Sequence, residues 1–159
     1  MSEELMMQNA KKVYATICSA IENRDWKYEK DEEKLVAFFG VNGDDIPMQI
    51  ILMVDAKRQV IRLVSAMPFK MSEEKRVEGA LAVCAASYNL ADGNFDYDLS
   101  TGAIMFRLNI SYMGSQIGEG AIQYMINCAC AMVDLYNEKF LSIDKGVLSI
   151  NDFISQEYN

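Results

Sequence analysis

Apolar residues recur every three or four positions in four segments of the chain, which is the spacing of one buried helix face. The pattern predicts helices over residues 3–22, 73–89, 116–140 and 150–156. In the second helix it predicts a buried stripe of four residues, Val77, Leu81, Cys84 and Tyr88. In the third helix it predicts a longer buried stripe, Ile117, Ala121, Met125, Cys128, Met132 and Leu135.

Elsewhere apolar and polar residues alternate at every second position, as they do in half-buried strands. This alternation predicts five strands, over residues 34–41, 46–54, 59–65, 94–99 and 103–112, and a short edge strand is expected over residues 27–29. Helices and strands in this order indicate a single α+β domain spanning residues 1–159. We expect an antiparallel sheet with the helices packed on one face.

Turn positions predict how the strands pair. The Asn-Gly sequence at residues 42–43 is a strong hairpin signal. A two-residue turn at residues 101–102 would pair Tyr97 with Phe106 and Leu99 with Ile104 on the core side. On the opposite face the same register would bring Asp96 across from Arg107, as a cross-strand ion pair.

A turn over residues 55–58 would pair Leu52 with Ile61 and Ile50 with Leu63 toward the helices. The other face would then stay apolar in the central strands, where a solvent-facing sheet normally carries polar residues. A contiguous exposed apolar patch usually marks an interface. The expected partner or dimer surface consists of Val36, Phe38, Ile51, Met53, Val60 and Arg62. The alternative is that the C-terminal helix or a loop covers this face.

Composition excludes several classes of function. A net charge of −8 argues against binding to nucleic acid or to anionic membrane surfaces. The chain has no histidine, which removes the commonest general base and all histidine-containing zinc sites. Its four cysteines form no Cys-x-x-Cys pair, and most lie in apolar helical patterns, so we expect buried, reduced thiols. We therefore expect no enzymatic activity, cofactor or metal ion, and a cytoplasmic location.

Glycines near the start of the third helix, at positions 114, 118 and 120, partly resemble a phosphate-binding turn. The Lys-Ser/Thr pair of a P-loop and its βαβ setting are missing. A loosened helix start is therefore the better interpretation of these glycines.

Residues 86–141 carry a resemblance to a known family. The segment reads ASYNLADGNFDYDLSTGAIMFRL and, after the start of the long helix, MVDLYNEKFL. With the order αβββαββα, the length and the acidic balance, the chain resembles type III secretion chaperone-like domains, and within them the YbjN family of small bacterial proteins. The secretion chaperones of this fold are acidic dimers that bind extended effector segments and have no enzymatic activity. YbjN-like proteins are given regulatory or chaperone-like roles.

These features predict a protein-binding module that is chaperone-like or regulatory and forms a homodimer. Its expected mechanism is burial of the apolar sheet face, or addition of a partner strand at a free sheet edge. The alternative is a regulatory domain that senses a small molecule, held between the sheet and the helices near Tyr88, Tyr112 or Tyr124.

Overall fold

The structure, a computed structural model, describes residues 2–159, which form six strands and four helices. In chain order these elements are α1 (Glu3–Glu22), β1 (Glu29–Asp31), β2 (Val36–Asn42), β3 (Pro47–Asp55), β4 (Val60–Lys70), α2 (Arg76–Tyr88), β5 (Asn94–Asp98), β6 (Ala103–Ser111), α3 (Glu119–Asp144) and α4 (Ile150–Tyr158). A single 3₁₀ turn, Glu73–Lys75, leads into α2. The expected edge strand is therefore present, two residues later than residues 27–29.

The strands form one antiparallel sheet in the order β1-β2-β3-β4-β6-β5. Helices α1 and α3 pack across the central strands, and α2 packs on β5 and α3. The helices lie together on one face, which we call the inner face. The α+β fold with the order αβββαββα is confirmed. The short edge strand β1 precedes its first three strands, and the predicted fourth helix, α4, follows its last helix.

Local sequence signals account for the starts of α1 and α4. The Ser2 side chain accepts a hydrogen bond from the Leu5 amide at 3.2 Å, and α1 spans the predicted residues. Ser149 caps α4 in the same way, accepting from the Asp152 amide at 3.1 Å. Each bond satisfies an amide that the helix itself leaves unpaired, which is worth about 1 kcal/mol.

The core lies between the inner face and the helices. Leu52, Leu63 and Leu108 stand side by side on β3, β4 and β6, and each is at most 6% exposed. Beside them Phe95 of β5 packs edge-on against Phe140 of α3, with ring centroids 5.2 Å apart. Each of these side chains contributes about 1.5–3 kcal/mol by leaving water.

Two strand registers differ from the prediction by two residues. Tyr97 pairs with Ile104 and not with Phe106, and Leu52 pairs with Leu63 and not with Ile61. The turns are longer than expected because each ends on a residue with positive φ, Gly102 at 75° and Gln59 at 54°. A shift of two keeps every side chain on its predicted face, since strand side chains alternate with period two.

The predicted buried stripes of α2 and α3 are corrected by the structure. In α2 the residues that face the core are small, namely Gly79, Ala82, Val83, Ala85 and Ala86, and the predicted stripe faces outward. In α3, Met125 is buried as expected, but Leu135 is 51% exposed. The stripe that packs on the sheet is instead Ile122, Met125, Ile126, Ala129, Val133, Tyr136 and Phe140.

Candidate functional site

The inner face is covered by the helices, and the opposite face of the sheet carries all six residues of the predicted surface. We call this side the outer sheet face. It bears Val36 and Phe38 on β2, Ile51 and Met53 on β3, and Val60 and Arg62 on β4. Helix α4 does not cover these residues: it packs on the helix side, where Phe153 lies 6.2 Å from Phe140, measured between ring centroids.

Cross-strand pairing joins the apolar residues of the outer sheet face into one patch. Phe38 lies opposite Ile51, and Ile51 lies opposite Val64. Two residues along the same strands, and on the same face, Val36 lies opposite Met53. All five side chains are half-buried. Val64 was not included in the predicted surface.

Val60 and Arg62 lie at the margin of this patch. Val60 is paired with Asp55 and Arg62 with Met53. An Arg62 Nη2 atom donates to Asp55 Oδ2 at 3.0 Å. Val60 and Arg62 therefore border the apolar patch on β4, and the structure adds the ion pair between Arg62 and Asp55, which was not predicted.

The β1 margin of the outer sheet face is acidic. Glu29 lies opposite Phe38, and Asp31 lies opposite Val36. β1 is also the last strand on that side, so one edge of its backbone faces no further strand of the sheet. An extended segment that pairs with this edge would gain backbone hydrogen bonds.

A groove of about 790 Å³ runs between α1 and β1 on the inner side of the same edge. Its floor includes Tyr14 and Cys18, and its rim includes Glu22, Glu32 and Glu33. The Tyr14 hydroxyl donates to the Val36 carbonyl at 2.8 Å, which fixes α1 against β2. Burial raises the pKa of the Tyr14 phenol, so this group stays a neutral donor.

Helix α2 presents a second apolar surface. Val77 is 72% exposed, Leu81 48% and Tyr88 71%, and Cys84 between them is also exposed. These are the four residues predicted to be the buried stripe of this helix. The Tyr88 ring stacks on Tyr158 of α4, with centroids 4.9 Å apart, which extends the surface. We call the four exposed residues of α2, namely Val77, Leu81, Cys84 and Tyr88, the α2 stripe.

Two solved structures share this architecture. A chain in the crystal structure of the ExsC–ExsE complex matches with a TM-score of 0.58 and 14% identity, over 80% of this chain and 92% of that one. A chain in the structure of the HopA1–SchA chaperone–effector complex matches with a TM-score of 0.54 and 12% identity, over 83% and 97%. The fold is that of type III secretion chaperones.

At this level of identity the likeness concerns the fold alone. The sequence matches no known family model and no curated protein. The resemblance to the YbjN family therefore stays a prediction from the sequence.

The chaperone-like fold separates the three tyrosines named for the small-molecule alternative. Tyr88 lies on the α2 stripe, and exposed Tyr124 donates from its hydroxyl to the Asp92 carboxylate. Tyr112 is 2% exposed and borders a cavity at the far end of β6. The three side chains do not form one site.

The cysteines are less buried than the sequence predicted. Cys84 is exposed, and Cys18, Cys128 and Cys130 are half-buried; all four are free thiols. Within residues 2–159, no group of three or more acidic, cysteine or histidine side chains is placed to hold a metal ion. In the same residues, no helix is both long and apolar enough to cross a membrane.

Proposed function

We propose that this protein is a non-enzymatic, cytoplasmic binding module, chaperone-like or regulatory, that holds an extended segment of another protein on its outer sheet face. The observation that carries the proposal is the apolar patch of Val36, Phe38, Ile51, Met53 and Val64. Inner-face neighbours on the same strands, such as Leu52 and Leu63, are fully buried. No helix in the described part of the chain, residues 2–159, covers the apolar patch in this way, and a partner segment would supply that cover.

The likeness in fold to chains from the ExsC–ExsE and HopA1–SchA complexes supports a protein as the partner. Charge supports a particular chemistry for the segment. The chain has a net charge of −8, and Glu29 and Asp31 line one margin of the patch. The segment that fits best has apolar residues at alternate positions and basic residues near its end at β1.

Capture from cells of the source organism tests this proposal with two variants. Ile51→Glu places a charge in the centre of the patch. Gln49→Glu adds the same charge to the same face of β3, at an exposed polar position two residues away. We expect one protein to be captured by the wild type and by Gln49→Glu and lost with Ile51→Glu, while circular dichroism shows all three folded. Equal capture by all three chains contradicts the proposal.

The α2 stripe supports a second part of the proposal, a homodimer. Its spacing is self-complementary in an antiparallel pair of helices: Val77 would contact the partner subunit's Tyr88, and Leu81 would contact the partner subunit's Cys84. A two-fold axis requires such matching, because the same patch serves both copies. Arg76 would lie near the carboxyl end of the partner's α2, where the helix dipole favours a cation.

Sedimentation velocity tests the dimer. We expect the wild type to sediment as a dimer and Leu81→Glu as a monomer. Leu99→Glu is the matched control, because Leu99 is a 64% exposed leucine in the turn after β5 and is not part of the stripe. A monomeric wild type, or a dimer that persists with Leu81→Glu, contradicts the use of α2 as the dimer contact.

A further inference from the structure

A cavity of about 560 Å³ lies between α1, the turn from β3 to β4 and the loop from β6 to α3. Lys12 and Thr16 of α1 form one wall, Gln59 forms the second, and Tyr112 and Ser115 form the third. It is separate from the outer sheet face and from the α2 stripe. Its volume is in the range of small-molecule sites, about 300–1,000 Å³.

The turn and the loop that line the cavity are tied to each other. The Gln59 carbonyl accepts hydrogen bonds from the Tyr112 amide at 2.9 Å and from the Ser111 hydroxyl at 3.3 Å. The Tyr112 hydroxyl donates to the Asp55 carbonyl at 3.4 Å. Gln59 and Tyr112 are only 6% and 2% exposed. These walls are therefore preformed, so a ligand would not need to order them.

The charge of the lining is opposite to that of the chain. Among the described residues that line this cavity, Lys12 is the one with a charged side chain, and none of them carries a carboxylate. Within residues 2–159, none of the ion pairs uses Lys12. By contrast, the groove between α1 and β1 is lined by three glutamates as well as two lysines. In an acidic protein, a preformed site with an unpaired cation favours an anion.

The carboxylate of Asp55, which acts electrostatically on Tyr112, does not cancel the preference of the cavity for an anion. Burial raises the pKa of the Tyr112 phenol, and the negative charge of Asp55 raises it further. Its two oxygens are engaged elsewhere: Oδ1 accepts from the Arg58 amide at 2.9 Å, and Oδ2 accepts from Arg62 at 3.0 Å. The negative charge of Asp55 is therefore compensated outside the cavity.

We propose that this cavity binds a small organic anion, a metabolite that carries a phosphate or carboxylate group. The charged group would lie beside Lys12. Polar groups of the ligand would meet the Gln59 amide, the Ser115 hydroxyl and the Gln116 amide, which line the remaining walls. The inference does not depend on the proposed protein partner.

Amide NMR spectra of the full chain, titrated with glucose 6-phosphate and separately with citrate, test this inference. We expect saturable shifts of the Gln59, Ser115 and Gln116 amides with at least one of the two anions, and none with glucose. The anion that binds identifies the charged group. Lys12→Gln should weaken the affinity about tenfold, since it removes one charge-assisted contact.

Lys11→Gln is the matched control, because Lys11 is also an exposed lysine and lines the groove on the other side of α1. We expect it to leave the affinity unchanged. Absence of saturable shifts with both anions would overturn the proposal. Equal weakening by Lys11→Gln and Lys12→Gln would also overturn it, because it would show general attraction to the lysines of α1.

Discussion

Arg107 and Asp96 form an ion pair although they are diagonal neighbours in the sheet. Arg107 lies opposite Asn94, and Asp96 lies opposite Met105, yet Arg107 Nε is 2.8 Å from Asp96 Oδ2. Long side chains reach diagonal partners across a strand pair. The pair links the edge strand β5 to β6 on the outer sheet face, at the margin away from β1.

This pair should contribute little to stability. Its side chains are 42% and 36% exposed, so water screens their attraction. We expect Asp96→Asn to lower the free energy of unfolding by less than about 1 kcal/mol, as measured by urea denaturation. A loss above about 2 kcal/mol would show that the pair holds the edge strand in place more strongly than an exposed ion pair does.

Asp98 should titrate at unusually low pH. Hydrogen bonds from Ser100 and Thr101 to its carboxylate lower its pKa to about 2. Because this pKa is lower in the folded chain than in the unfolded one, the ionised group favours folding. That contribution is present above the usual pKa and is lost as the pH falls toward 2. Carbon-detected NMR titration should show the low midpoint, and Ser100→Ala should raise it. A midpoint near 4 in the wild type contradicts the hydrogen bonds.

Two helical glycines should respond in opposite ways to alanine. A Cβ on Gly79 would lie 2.6 Å from the Tyr97 hydroxyl and 2.7 Å from Met71 Cγ. We expect Gly79→Ala to destabilise the protein by about 1–3 kcal/mol, because Tyr97 and Met71 must move. A Cβ on Gly120 meets no atom within 4 Å. Gly120→Ala should stabilise by up to about 1 kcal/mol. Urea denaturation measures the free energy of unfolding of both variants. Equal changes in the two would contradict the close packing of Gly79 against Tyr97 and Met71.

Helix α4 should depend on one side chain for its docking. Phe153 is fully buried, whereas Tyr158 on the same helix is 52% exposed. We expect Phe153→Ala to cost about 3–5 kcal/mol of unfolding free energy, and hydrogen exchange in α4 to accelerate. Tyr158→Ala should cost less than about 1 kcal/mol. Slow exchange in α4 after Phe153→Ala would show that other contacts hold the helix.

The fold could be predicted from the sequence because its signals are local. Helix α1 begins and ends at the predicted residues, and alternation in β2, β3 and β6 defines which side chains face the helices. The register could not be predicted to better than two residues. Turn length depends on which residue adopts positive φ, and Gln59 is not a residue type that signals this conformation.

The outward stripe of α2 could not be predicted for a different reason. Periodicity places large apolar residues toward the core, yet here the close approach of α2 to β5 requires small residues at the contact. Gly79 lies against Tyr97 of β5 and Ala82 is fully buried, so Val77 and Leu81 are left outside. The six outer-face residues were predicted together because a register shift of two does not change the face. Whether a partner binds to this face also depends on the sequence of the partner, about which the sequence of this chain carries no information.

Methyl NMR of the complex tests the central proposal most directly. The chain would be labelled at isoleucine, leucine, valine and methionine methyl groups and titrated with the protein captured by the wild type. We predict large shifts of the Ile51, Met53 and Val64 methyls, with those of Leu52 and Leu63 on the inner face nearly unchanged. Shifts confined to the helix side, with Ile51 and Val64 unmoved, would contradict binding at the outer sheet face.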